Sequence, residues 1–436
     1  MRLLGSLGVL VALAIGILIA RKALRGRSAL VVEQIIESGF LLLLAGTIAG
    51  PHATALVSQG VLSQLDPFFV LGLSSLGFVG GLRFDRGFFV GERRRLFVAA
   101  SAQALLTMAI VGMPLVLAMA LLWEEPLATR LSAGFCLGIA AAASSSWALR
   151  SAARRRPEGE REPLLRLASV ASLDDFVVLL VLAVVFAALH APPGAGGVRL
   201  SGLGWFGVTI GLGLVVGAVA WLLDGAVKKE AERPLFLLGC ILLVGGMAFR
   251  LRLTPLVPAF VAGAFLANVA PEAAKRARAT LERYEHPLLL AVLFLGGAAW
   301  VPFEARVSWL IPVWLILRVL GKVAGGILAA RIAPPLPPRP GFGLLPSGAF
   351  GVAVAISFAR AYEGNLVAPI VTTVVVGSLV SDAIGVFAWR DALVSEGPPT
   401  APPPAAVASD VDATLLDLPV DPALPGGGAP TGGGAA

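Results

Sequence analysis

Two carboxylates stand side by side in an apolar stretch: Asp174 and Asp175, in Ala168-Ser169-Val170-Ala171-Ser172-Leu173-Asp174-Asp175-Phe176-Val177-Val178-Leu179. The stretch lies within an apolar run over roughly 163–189. At about 1.5 Å of rise per residue the pair sits ~16 Å from the start of that run, near the middle of a hydrocarbon layer about 30 Å thick. An aspartate at that depth costs about 3 kcal/mol on insertion scales. Folding alone does not call for that twice in succession, so the pair reads as an ion site. The alternative is that both acids pair with buried basic groups and only fix helix packing. Consecutive helical positions point about 100° apart, so one acid can face a cavity while the other faces a neighbouring helix. Burial disfavours the charged form of a carboxylate and a nearby cation favours it, so a proton and an alkali cation can compete for the same oxygens. That competition requires an aqueous route to the pair from at least one face.

Basic partners for the acids are Arg318 and Lys322, in Leu317-Arg318-Val319-Leu320-Gly321-Lys322-Val323-Ala324-Gly325-Gly326. At i and i+4 they share a helix face, at depths of roughly 20 and 14 Å from the cytoplasmic end of their span, with the aspartate pair between. Either cation can neutralise an aspartate, but a buried lysine can lose its proton and an arginine in practice cannot. Lys322 is therefore the better candidate for a group that gives up its salt bridge when a cation arrives. Arg318 reads equally well as a structural counter-charge. Which of the two pairs with Asp174 stays open at this stage.

Two stretches look able to interrupt a membrane helix and line such a site. One is Ala141-Ala142-Ala143-Ser144-Ser145-Ser146-Trp147, the other Leu345-Pro346-Ser347-Gly348-Ala349-Phe350-Gly351. Proline and glycine break a membrane helix, and hydroxyls can satisfy the freed backbone groups. Ser144, Ser145 and Ser146 are equally compatible with close helix packing, whereas Pro346, Ser347 and Gly348 favour a break. Asp382, after Ser381, reads as a supporting group that meets a core base. Glu33 and Glu37, one turn apart, read as lining a mouth or meeting basic loops.

The bulk composition agrees with this setting. The chain of 436 residues is 57% hydrophobic and 14% charged, against about 25% charged in soluble domains, with a mean hydropathy of +0.87. That excludes a soluble multi-domain protein. The net charge of +7 does not indicate nucleic acid, because the basic residues are dispersed between apolar runs. Cys136 and Cys240 both lie within apolar segments, and His52, His190 and His286 fall near segment ends. No disulfide framework, metal cluster or cofactor is indicated.

The apolar runs give an all-α polytopic membrane protein of about thirteen spans. They run over 2–20, 30–50, 67–83, 96–122, 130–149, 163–189, 200–223, 234–250, 253–270, 286–301, 307–331, 341–360 and 365–389. The first is kept as a span and not a signal peptide, since its basic residues follow the apolar run. If the segment after it is cytoplasmic, the inside loops and tail hold 25 of the 34 Lys and Arg and the outside loops 7. That imbalance places the amino terminus outside and the carboxyl terminus inside. Residues 1–392 then form the transmembrane domain, and the Pro/Gly/Ala-rich 393–436 a disordered cytoplasmic tail. Six spans, a linker span and six more would relate the halves by inversion, with the site at the midplane.

With these residues in hand, the chain resembles the cation:proton antiporter superfamily, nearest to bacterial sodium/proton antiporters with a paired-aspartate motif and related to potassium-efflux antiporters. The likeness rests on Asp174-Asp175, on Leu320-Gly321-Lys322-Val323-Ala324-Gly325, on Leu44-Ala45-Gly46-Thr47-Ile48-Ala49-Gly50-Pro51 and on Phe78-Val79-Gly80-Gly81-Leu82-Arg83, and covers about 30–390. The resemblance implies a core with two broken helices crossing beside the ion site, here spans five and twelve, and a dimerisation domain in a homodimer. It implies Asp175 as principal ligand for cation and proton, with Asp174 salt-bridged to Lys322. It also implies electrogenic exchange of Na+ or Li+, with K+ as an alternative, for H+ by an elevator-like motion in the inner membrane. The chain departs from the family at Pro346-Ser347-Gly348, where many relatives have an Arg-Gly-Glu-like step, and in its three serines before Trp147. Two rivals are a sodium-coupled organic-anion symporter of related fold and a membrane scaffold without transport.

Overall fold

The computed structural model describes residues 39–154, 158–190, 200–225, 229, 232–301, 308–337 and 339–392. Their regular structure is helical throughout. In chain order the helices are α1 (Phe40–Ala49), α2 (Gln59–Gln64), α3 (Asp66–Leu82), α4 (Gly91–Leu122), α5 (Leu127–Ala142), α6 (Ser146–Arg154), α7 (Glu158–Ala188) and α8 (Gly202–Asp224). They continue as α9 (Arg233–Arg250), α10 (Leu256–Val269), α11 (Pro271–Ala298), α12 (Leu310–Ile332), α13 (Pro340–Gly343), α14 (Gly348–Ala361) and α15 (Val367–Ala392). A short 3-10 turn, Arg86–Phe89, joins α3 to α4.

Among the described residues six helices are long and apolar enough to cross a membrane, counting 127–150 across its interruption. Shorter apolar helices stand at Asp66–Leu82, Leu256–Val269, Pro287–Ala298, Gly348–Ala361 and Val367–Asp382. The expected first span, the start of the second with Glu33 and Glu37, and the tail 393–436 lie outside the described residues. Spans three to thirteen each find a helix or an interrupted helix pair. One expectation needs correcting: 271–285 was read as a loop but forms the first half of α11. Pro271 at its first turn and the Glu272–Lys275 pair at 3.0 Å suit a helix start. Hydropathy registers only the part of a helix that lies in lipid.

Four hydrophobic clusters hold the helices together, two of them large. The larger joins α1, α2, α3, α4, α5, α7, α10, α11, α12, α14 and α15, with Trp314, Phe69 and Phe358 buried in it. The second joins α3, α8, α9, α10 and α11 with the end of α7, and two small ones pack α6 on α7 and α4 on α7 and α12. The seam shared by the two large ones is tight because glycines bring backbones into contact. A Cβ at Gly81 of α3 would lie 2.1 Å from the Phe260 carbonyl oxygen of α10. Large apolar side chains of α4 such as Met113, Leu117 and Leu121 point outward and stay exposed, as a lipid-facing stripe should.

Gly81→Val is therefore expected to force the α3–α10 crossing apart and cost about 1–3 kcal/mol, seen as a lower thermal midpoint of the detergent-purified protein. Gly207→Val on α8, where an added Cβ meets nothing within 4 Å, serves as the control and should leave the midpoint in place.

Candidate ion-binding site

Span five is interrupted. α5 ends at Ala142, Ala143 takes an extended conformation (φ −62°, ψ 140°), and α6 resumes at Ser146. Span twelve is interrupted too: α13 ends at Gly343 and α14 begins at Gly348, which takes the left-handed φ of +63°. The breaks meet, since the Ser145 N–H donates to the Pro346 carbonyl at 2.7 Å. Ser145 Oγ also accepts from the Ala148 N–H at 3.4 Å, which starts the second half-helix. Ser146 is the first residue of α6 and partly buried.

A helix that stops inside the protein leaves its last carbonyls without donors. Here α12 supplies them. Arg318 is fully buried and donates from its terminal nitrogens to Ala140 O (3.3 Å), Ala141 O, Ala143 O (3.0 Å) and Leu345 O (2.9 Å). Its Nε reaches Ser381 Oγ at 3.1 Å, and its guanidinium lies 5.3 Å from the Trp314 ring. Arg318, weighed as a partner for an aspartate, thus spends its hydrogen bonds on carbonyls of both breaks and on Ser381. One turn further, Lys322 donates to Ala142 O, to Ser144 Oγ at 2.6 Å and to Asp174 Oδ2 at 3.4 Å. Lysine and aspartate are both fully buried. Positive charge at the carbonyl end of α5 also answers the helix dipole.

The opposite break carries the opposite charge. Asp382 Oδ1 accepts from the Ser347 N–H at 2.7 Å, just before α14 begins. A carboxylate there meets the positive end of the half-helix. Ser381 Oγ donates to Leu345 O at 2.8 Å. Asp382 thus serves the backbone of the break and touches neither Asp174 nor Asp175 by any hydrogen bond among the described residues.

Asp174 and Asp175 face differently, as their 100° offset requires. Asp174 is sealed: Oδ2 accepts from Ser144 Oγ at 2.9 Å, from Lys322 and from Gln103 Nε2 at 3.4 Å. Its Oδ1 has no hydrogen-bond partner among the described residues. Asp175 is half-buried, and its Oδ1 also lacks a partner. Arg83 and Arg150 lie within electrostatic range of it. The adjacent Phe176 packs against Phe84 and Phe260, with ring centroids 5.2 and 5.4 Å away, so an aromatic cluster borders the acid. Two carboxylate oxygens without donors among the described residues, one on a side chain that is not sealed, suit a monovalent cation or a proton.

Two groups of the site, Gln103 and the Ser381 hydroxyl, are not among the residues that sequence alone singles out. A lone amide in the apolar run of α4 was the available signal for Gln103. Nothing in the sequence marked Ser381 as the hydroxyl that joins Arg318 to Leu345.

Arg318→Met should leave the carbonyls of Ala141 and Ala143 without their Arg318 donors and Leu345 O with Ser381 Oγ alone. The expected loss exceeds about 3 kcal/mol, read as a lower thermal midpoint. Arg318→Lys should recover only part, because one ammonium lacks the fork that reaches both breaks. An unchanged midpoint for the Met variant would show that those carbonyls have other donors.

The arrangement has counterparts. Two solved structures of the sodium proton antiporter MjNhaP1 from Methanocaldococcus jannaschii share the fold. One, at pH 8, has 17% identity and a TM-score of 0.59, covering 90% of this chain and 98% of that one. The other, from electron microscopy, has 16% identity and a TM-score of 0.63, with 90% and 97% covered. No curated protein matches the sequence. The transmembrane sodium/hydrogen exchanger family matches residues 10–389, nearly all of the helical domain. This all-α, polytopic membrane protein belongs to the sodium/hydrogen exchanger family of transporters.

Proposed function

We propose that the chain exchanges Na+ or Li+, with K+ as an alternative, for protons across the membrane, and that Asp175 is the group on which cation and proton alternate. The observation that carries the reading is the sealed Lys322–Asp174 pair at 3.4 Å beside the half-buried Asp175, whose Oδ1 has no partner among the described residues. A cation arriving at Asp175 adds positive charge next to Lys322. Lys322 can then relinquish Asp174 and its own proton, still held by Ala142 O and Ser144. Arginine in its place could not do this. Exchange in which Asp175 and Lys322 both give up protons for one sodium ion is electrogenic. Neutralising the site before it moves lowers the barrier to crossing a low-dielectric layer.

Around that chemistry we place an elevator-like motion of α4–α7 and α12–α15 against the body of α3 and α8–α10, in a homodimer. The amino terminus lies outside and the carboxyl terminus in the cytoplasm, in a bacterial inner membrane. The loop charges support the orientation. The organic-anion symporter receives no support from the breaks, where Arg318 and Lys322 take up the carbonyls of Ala140–Ala143 and Leu345 and Asp382 takes up the Ser347 N–H.

Asp175→Asn is expected to abolish sodium-driven proton movement in proteoliposomes, and normal turnover would remove the site assignment. Lys322→Ala, measured with the membrane potential clamped, should lower the charge moved per sodium ion. An unaltered reversal potential would take Lys322 out of the proton count.

A further inference from the structure

Gln103 of α4 is fully buried beside the exchange pair. Its Nε2 donates to Asp174 Oδ2 at 3.4 Å, while its Oε1 is buried with no hydrogen-bond partner among the described residues. The fold is shaped to bring this amide in. A Cβ at Gly325, three residues after Lys322, would lie 2.9 Å from the Gln103 carbonyl oxygen and 3.0 Å from its Cγ. Only a glycine on α12 lets α4 approach so closely. Thr107 Oγ1 donates to the Gln103 carbonyl at 2.9 Å and occupies the backbone acceptor. The side-chain Oε1 remains as a buried acceptor without a donor, which is unfavourable unless another state of the protein supplies one.

The charged groups around Asp174 suggest that state. Lys322 faces it from α12, with Arg318 in electrostatic range one turn away, and Asp175 follows it on α7. α5 brings the Ser144 hydroxyl and α4 brings Gln103. An ionised carboxylate can only accept hydrogen bonds, whereas a protonated one must also donate. Ser144 Oγ already accepts from Lys322. A glutamine amide holds a donor and an acceptor on one plane, and a half-turn about its last torsion exchanges them.

We propose that Gln103 is a positioning residue of the exchange. It presents Nε2 to Asp174 while that acid is ionised and paired with Lys322, and turns Oε1 toward it when Asp174 carries a proton. The proton Asp174 takes is the one Lys322 gives up across the 3.4 Å pair, before it leaves the site; Asp174 thereby keeps a partner on α4 in both protonation states, and Lys322 can withdraw without stranding it. The inference rests on the reading of Asp174 and Asp175 as the exchange site.

The test uses the full chain in proteoliposomes with an imposed sodium gradient. Gln103→Met keeps the length and removes the amide. It is expected to slow exchange and to displace the pH profile by about half a pH unit or more, a readout that mere loss of folded protein does not move. A profile superimposable on wild type overturns the proposal. Should the variant fail to fold, infrared difference spectra of the wild type on acidification decide the matter. The buried acid band that Asp174→Asn removes is expected at the frequency of a hydrogen-bonded acid, and the frequency of a free acid overturns the proposal. Absence of sodium-driven proton movement in the wild type would instead sink the antiport reading, so the two failures are told apart.

Discussion

Interrupting a helix away from water strands the carbonyls of its last turn, and the molecule must provide donors or unravel further. In span five those carbonyls belong to Ala140, Ala141, Ala142 and Ala143, and a single face of α12 answers all four. The division of labour between the two cations follows from their chemistry. The guanidinium of Arg318 commits its three nitrogens to five acceptors and retains its proton. The ammonium of Lys322 divides itself between one carbonyl, one hydroxyl and one carboxylate. A fixed cation thus secures the backbone, and a changeable one stands next to the acids. The charge of Asp382 at the start of α14 completes the set on the other break.

Much of this was legible in the sequence, for a physical reason: charge inside lipid is expensive, so each intramembrane Asp, Arg or Lys announces a role. The Pro346-Ser347-Gly348 step favoured a break on backbone grounds, and the break is there. The serine run was evenly balanced between interruption and packing, because small hydroxyl residues serve both; the conformation of Ala143 and the Ser145–Pro346 hydrogen bond decide for interruption. The pairing of Arg318 and Lys322 was not legible from residue types and spacing, although the family resemblance implied Lys322 for Asp174. They share a face and differ by one turn, so the choice depends on where the neighbouring helices stop. Gln103 was quieter still, since one amide in an apolar run reads as easily as a satisfied polar group. The charged half of α11 escaped because hydropathy is blind to helix beyond the bilayer.

The two early glycine-containing signatures carry a different lesson. Their glycines lie on helix seams: a Cβ at Gly46 of α1 would sit 2.0 Å from Phe294 O of α11, and Gly81 of α3 meets α10 in the same way. A contact of backbone on backbone admits no side chain, and it tolerates almost any change on the lipid-facing sides. A shared fold at 17% identity is what such seams allow, since the constraint falls on a few small residues and leaves the greasy exterior free to vary.

One consequence follows from Arg318 holding Ala143 O on one break and Leu345 O on the other. The two interrupted spans are riveted through a single planar group, and Ser381 adds a second tie to Leu345 from α15. Pulling either kink away would tear donors from both at once. The knot of α5, α6, α13, α14 and α12 is therefore stiff as one piece, and bending within it is costlier than bending at its perimeter.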